Sequence, residues 1–156
     1  MNIRQAQPSD APAISALLQE LVAAGKRTSP ADEGFVLRTY IAHPGRLSCA
    51  LAEDDSGPLG FQSLLRAQAG NPYGTPEGCG IIGTHVAPRA ARRRVGSHLF
   101  EVTLRAARDA DLPRIEAFIG ETNEPALAYY EKIGFRTLRL ASGAVVKCLD
   151  LSDGSV

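Results

Sequence analysis

The sequence predicts a mixed β-sheet with helices on both faces, an α/β fold of the α+β kind. Three observations carry that expectation. Segments with helical and with strand periodicity alternate, but never settle into a regular βαβ repeat. The length of 156 residues suits one compact domain over 1–156, with no repeat and no linker. A composition that is 44% hydrophobic and 22% charged is ordinary for a globular chain with its own core.

Residues 2–6 form a short first strand. Ser9 or Asp10 caps a helix reaching Ala24, whose Ile14, Leu17, Leu18, Leu21 and Val22 share one apolar face. Gly25 stops it. A second helix spans residues 31–42, with Phe35, Leu37, Tyr40 and Ile41 partly buried, and Pro44-Gly45 ends it. Strands over 47–53 and 59–68 flank a turn at Asp54-Asp55-Ser56-Gly57. Residues 70–78 are rich in glycine and proline and long enough for a functional loop. Cys79 to Val86 is the next strand. A helix over 97–110 buries Leu99, Phe100, Thr103, Leu104, Ala107 and Ala110. Residues 114–120 read as a central strand and 125–133 as a short helix, with Gly134 at its left-handed end. A hairpin over 135–140 and 144–151 closes the chain.

Composition also excludes functions. The 17 basic and 17 acidic side chains give zero net charge, against broad binding to nucleic acid or membrane. No apolar run approaches the roughly 18 residues of a membrane span, and the N-terminus has no export-type apolar segment. Cys49, Cys79 and Cys148 lack metal-ligand spacing, so the expectation is a cytoplasmic, metal-free protein with cysteines as small buried apolar groups.

One charge cluster stands out: Arg89, Arg92, Arg93 and Arg94. Val86 and Pro88 end a strand there, and a helix begins just beyond. The first N–H groups of a helix have no intrahelical acceptor, and the helix dipole adds positive charge, so such a turn attracts phosphate. Gly96 allows close backbone approach.

Val86, Pro88 and Gly96, with Asn123, Ala126, Tyr130, Lys132, Gly134 and Phe135 downstream, resemble the GCN5-related N-acetyltransferase (GNAT) family. Two positions of the first motif depart from it: Ala91 stands where the family has Gln or Arg, and Arg94 where it has glycine. The resemblance covers nearly the whole chain. It implies the acyl-CoA N-acyltransferase fold, with a mostly antiparallel sheet. It implies acetyl-CoA as donor, a small-molecule or protein amine as acceptor, and a homodimer by analogy with relatives. The turn residues Arg92, Arg93, Arg94, Val95, Gly96 and Ser97 would cradle the pyrophosphate. The acyl carbonyl would meet a backbone N–H of Thr84, His85 or Val86, with the pantetheine arm between that strand and the one ending at Gly120. Asn123 would bond the coenzyme, cap its helix, or both. Tyr130 would protonate the departing thiolate, since a phenol of pKa about 10 keeps its proton at neutral pH. Tyr129 is expected to face elsewhere and pack. The base is open among Glu77, His85, Glu121 and a water chain. Glu20, Asp32, Glu33, Tyr40 and Tyr73 are candidate acceptor contacts. The competing expectation is a module of this fold that binds acyl-CoA without transfer.

Overall fold

The computed structural model describes residues 1–151. Seven strands form one sheet: β1 (Asn2–Gln5), β2 (Arg46–Asp54), β3 (Gly57–Arg66), β4 (Gly80–Val86), β5 (Arg114–Gly120), β6 (Arg136–Ala141) and β7 (Ala144–Asp150). Their order is β1-β2-β3-β4-β5-β7-β6, and every neighbouring pair is antiparallel except β4 with β5. The expected mixed, mostly antiparallel sheet is therefore observed. Helices α1 (Ala11–Ala23), α2 (Glu33–Val36), α3 (Val95–Asp109) and α4 (Glu124–Lys132) cover it.

α1 buries Ile14, Leu17, Leu18 and Leu21 as its periodicity requires, but Val22 is exposed and Ala11 and Ser15 complete the buried stripe. α3 buries Leu99, Phe100, Thr103 and Ala107, and begins at Val95, ahead of the expected Ser97. The second helix is shorter than its apolar pattern suggested. Asp32 caps it by accepting from the Phe35 N–H, and after Val36 it loosens into a π-helical turn, Leu37–Ile41, closed by Ala42 N–H to Leu37 O at 2.6 Å. That wider turn lets both Tyr40 and Ile41 reach the core. All three cysteines are free and buried, and burial pushes the Cys49 thiol up to about 11. Among the described residues no helix is long and apolar enough to cross a membrane, and no cluster of His, Cys, Asp or Glu could hold a metal.

One buried charge ties the later strands together. Glu116 of β5 is 1% exposed and accepts from Arg114 Nε at 2.9 Å and from Arg139 Nη1 at 3.1 Å. Arg139 also donates to the Tyr73 carbonyl at 3.0 Å, so β5, β6 and the 70–78 loop share one network. Both arginines keep solvent contact and can rehydrate if the carboxylate is lost. Glu116→Ala is therefore expected to cost about 2 kcal/mol, less than breaking a fully enclosed pair. Denaturant unfolding measures it; a change below about 0.5 kcal/mol means the network does not hold these elements together.

Candidate active site

The pairing of β4 with β5 covers only Gly80↔Ile115 to Ile82↔Ala117. Beyond Ile82 the two strands part, although each keeps its other neighbour to its end. Ala87 donates its N–H to Leu59 O across β3. Antiparallel alternation therefore turns the Gly83 and His85 N–H groups toward β3, and those of Thr84 and Val86 toward the gap. The gap opens into a cleft of about 1110 Å³, floored by residues 82–88 and 118–120 and closed at its ends by the α1–α2 segment and the turn into α3.

The turn into α3 is strained. Arg92 and Arg94 both hold left-handed backbone, with φ of 68° and 59°. Arg94 is the N-cap of α3, and no side chain bonds the free N–H groups of the first turn. Those donors and the Arg92 and Arg94 side chains border the cleft, a donor set that suits an anion. Gly96 is needed for an unforeseen reason. A Cβ there would lie 2.7 Å from Cε1 of Tyr129, so the missing side chain makes room for that ring.

Both tyrosines of α4 line the cleft. Tyr130 is 4% exposed, and its Oη lies 2.8 Å from Thr84 Oγ1. Burial raises its pKa well above the ordinary tyrosine value, so it stays protonated. Tyr129 donates to Gly96 O at 2.7 Å and accepts from Gln62 Nε2 at 3.0 Å. The expectation that Tyr129 only packs is corrected: its ring spans from α4 to the turn of α3. Asn123 caps α4 through the Ala126 N–H at 3.3 Å and also lines the cleft.

His85 projects to the opposite face of β4 from Thr84. Its ring stacks on Phe61 at 4.6 Å and meets the Tyr40 ring edge-on at 5.5 Å. Burial, with the Arg27 charge nearby, lowers its pKa to about 3. A neutral imidazole that resists protonation is a poor base for an ammonium group.

The Acetyltransferase (GNAT) family model matches residues 14–135. The chain belongs to this family of acetyltransferases. No curated protein matches its sequence. Among solved structures, a GCN5-related N-acetyltransferase from Kribbella flavida is 22% identical, with 96% of this chain and 97% of that chain covered and a TM-score of 0.76. A GNAT family acetyltransferase from Brucella melitensis in complex with acetyl-CoA is 22% identical, covering 96% and 87%, with a TM-score of 0.70. An N-acetyltransferase from Thermoplasma acidophilum in complex with coenzyme A is 14% identical, covering 96% and 98%, with a TM-score of 0.74. These likenesses show the fold.

Within this GNAT domain, Thr84, His85, Val86, Arg92, Arg94, Val95, Gly96, Ser97, Asn123 and Tyr130 all border the cleft. Arg93 does not; it donates to Asp54 at 3.1 Å, away from the gap. Glu77 is exposed just before β4 begins, at the strand end remote from the cleft, and Glu121 is also exposed. Neither joins the lining. Of the expected acceptor contacts, Tyr40 packs beneath His85, and Tyr73 packs on Phe118 at 5.4 Å, itself a lining residue. Gln62 is the residue that sequence reasoning missed; an isolated glutamine in an apolar strand gave no spacing signal.

Two outcomes follow from this geometry. Arg94→Gly is expected to raise stability by about 1 kcal/mol, because glycine enters the left-handed region without a Cβ conflict. Thermal unfolding measures it; a fall in stability would show that Arg94 packing outweighs its strain. In imidazole NMR, His85 is expected to stay neutral across pH 5.5 to 8.5, and a titration midpoint near the ordinary value of about 6.5 would show that water solvates the half-buried ring despite its aromatic packing.

Proposed function

We propose that this protein transfers the acetyl group of acetyl-CoA, by direct attack, to an amine that also carries an anionic group. The observation that carries the reading is the cleft itself. It joins unpaired strand N–H groups, an open helix N-terminus and a protonated tyrosine in one gap. The acceptor's charge is inferred from the lining: beside Arg92 and Arg94, which serve the pyrophosphate, Lys26, Arg27 and Lys132 border the cleft, and no carboxylate does among the described residues. A second positive charge on the acceptor would be repelled, whereas a carboxylate beside the amine would be attracted.

The bound coenzyme supplies an activated thioester whose C–S bond breaks as the N–C bond forms. The first-turn N–H groups of α3, with Arg92 and Arg94, hold the pyrophosphate. The Thr84 or Val86 N–H donates to the carbonyl oxygen as negative charge develops on it. Tyr130 gives its proton to the departing sulfur, and the attacking nitrogen releases a proton to water, from which Tyr130 is restored. With His85 held neutral and no carboxylate in the lining, water is the base that fits.

Acetyl-CoA is expected to raise the melting temperature; no shift at millimolar coenzyme would remove this reading. Thiol release over an amine panel separates a transferase from a module that only binds the coenzyme. An amino acid is expected to outperform the amine lacking its carboxylate, and the reverse order would reject the anionic acceptor. Tyr130→Phe is expected to lower kcat by about a hundredfold or more while leaving coenzyme affinity within twofold. Unchanged turnover would reject the acid role.

A further inference from the structure

A chain of side-chain hydrogen bonds runs from the turn of α3 to Tyr130, and its direction can be assigned. The Gly96 carbonyl can only accept, so Tyr129 Oη donates to it at 2.7 Å. Tyr129 has one proton, already used, so its oxygen accepts from Gln62 at 3.0 Å. The atom of Gln62 that faces it must therefore be Nε2. The opposite orientation would set the amide oxygen against a phenol oxygen with no proton between them. The same Nε2 donates to Thr84 Oγ1 at 2.9 Å. Gln62 is 0% exposed, and its Oε1 has no partner among the described residues. A buried amide that leaves one acceptor unmet loses free energy there. What it retains is two donors fixed in one direction.

We infer that Gln62 and Thr84 are positioning residues for the acid: they direct the donor sequence Gln62 Nε2–H to Thr84 Oγ1–H to Tyr130 Oη, leaving the Tyr130 proton for the sulfur in the cleft. This rests on the reading of Tyr130 as the acid. Thr84 already accepts from the amide, and a hydroxyl that accepts one bond becomes a better donor in the next. With an anionic sulfur at the end of the row, every bond from Gln62 onward points toward it, while the Gln62 to Tyr129 to Gly96 branch anchors the amide from behind. When Tyr130 gives up its proton, the phenolate oxygen still receives the Thr84 O–H. Of the hydrogen bonds at Tyr130, those from Thr84 pull its acidity toward the ordinary value against the burial that opposes it. The row also begins on Gly96, in the first turn of α3, so a polyphosphate seated there would steady the atom on which it is anchored.

The test needs no acceptor. Coenzyme A has a free thiol of pKa about 8.5, and its acetyl thioester has none. The ratio of their Kd values between pH 6 and 9 therefore reports the sulfur alone. In the parent protein, coenzyme A is expected to gain affinity relative to acetyl-CoA as pH rises, about tenfold per unit by which the bound thiol is made more acidic. Tyr130→Phe is expected to abolish that gain. Thr84→Val is expected to remove threefold or more of it, while Thr84→Ser keeps it. Gln62→Glu, equal in size but accepting only, is expected to draw the Thr84 proton to itself and remove the gain as well. In the Tyr130→Phe background, none of these changes should move the ratio further. Melting temperatures check that each variant is folded, and Thr84→Val stands if the buried carboxylate does not fold. A gain lost in Tyr130→Phe but kept in Thr84→Val overturns the positioning role alone. Additive effects in the double variants overturn it too, because the residues then do not act through Tyr130. A gain that survives Tyr130→Phe overturns the acid reading, and this inference with it.

Discussion

The pairing of β4 with β5 stops at Ile82↔Ala117, and the site exists because it stops. Each strand is held along its outer side for its whole length, β4 by β3 and β5 by β7. The gap between them is therefore a fixed wedge rather than a frayed edge. It leaves backbone donors and acceptors of Thr84 and Val86 without strand partners inside the sheet rather than at its edge. Such groups are costly inside a protein and are met by water or by an extended ligand. A ligand that offers amides of its own can lie in such a wedge as a short extra strand. The direction of β4 then matters, because its C-terminal end leads straight to the first turn of α3.

That arrangement also divides the chemistry. Successive side chains of a strand point to opposite faces, so Thr84 turns toward α4 and His85 toward the rings of Phe61 and Tyr40. The Thr84 and Tyr130 hydroxyls gather on one side of the wedge. On the other, a histidine is kept uncharged by aromatic packing and by the nearby Arg27. A charged His85 would add to a lining that already carries several cations and, among the described residues, no carboxylate.

The sequence made some of this legible, and the reasons differ residue by residue. The order of strands and helices followed from periodicity, and the α4 segment was readable because Asn123, Tyr130 and Gly134 sit at spacings fixed by one short helix. The π-helical turn at Leu37–Ile41 was not, since its apolar residues also fit an ordinary helix. Tyr129 was misassigned for a geometric reason. Neighbours on a helix point about 100° apart, which suggests that only one can face the cleft. Here α4 lies across both the strand and the turn, so one tyrosine meets β4 and the other meets α3. Gln62 carried no signal, because its partners lie on β4 and α4, far along the chain.

The turn at Arg92 to Gly96 shows how a poor match to a motif can keep its geometry. Two arginines hold left-handed backbone there, where glycine would enter freely. The cost is about 1 to 2 kcal/mol for each. Ala91 is extended before Arg92, the Arg93 N–H closes the turn on Ala90 O at 3.3 Å, and Arg94 leads straight into the open first turn of α3. The turn is thus shaped by backbone conformation, not by the identity of its residues. An arginine at 94, where the motif has glycine, leaves that conformation strained but intact, and Arg92 and Arg94 both border the cleft. The glycine that cannot be replaced is Gly96, because the Tyr129 ring occupies the space a Cβ would need. Strain at Arg92 and Arg94 is tolerable because it is local to a surface turn. A side chain at Gly96 would instead push Tyr129 off its carbonyl, and with it the row of donors that ends at Tyr130.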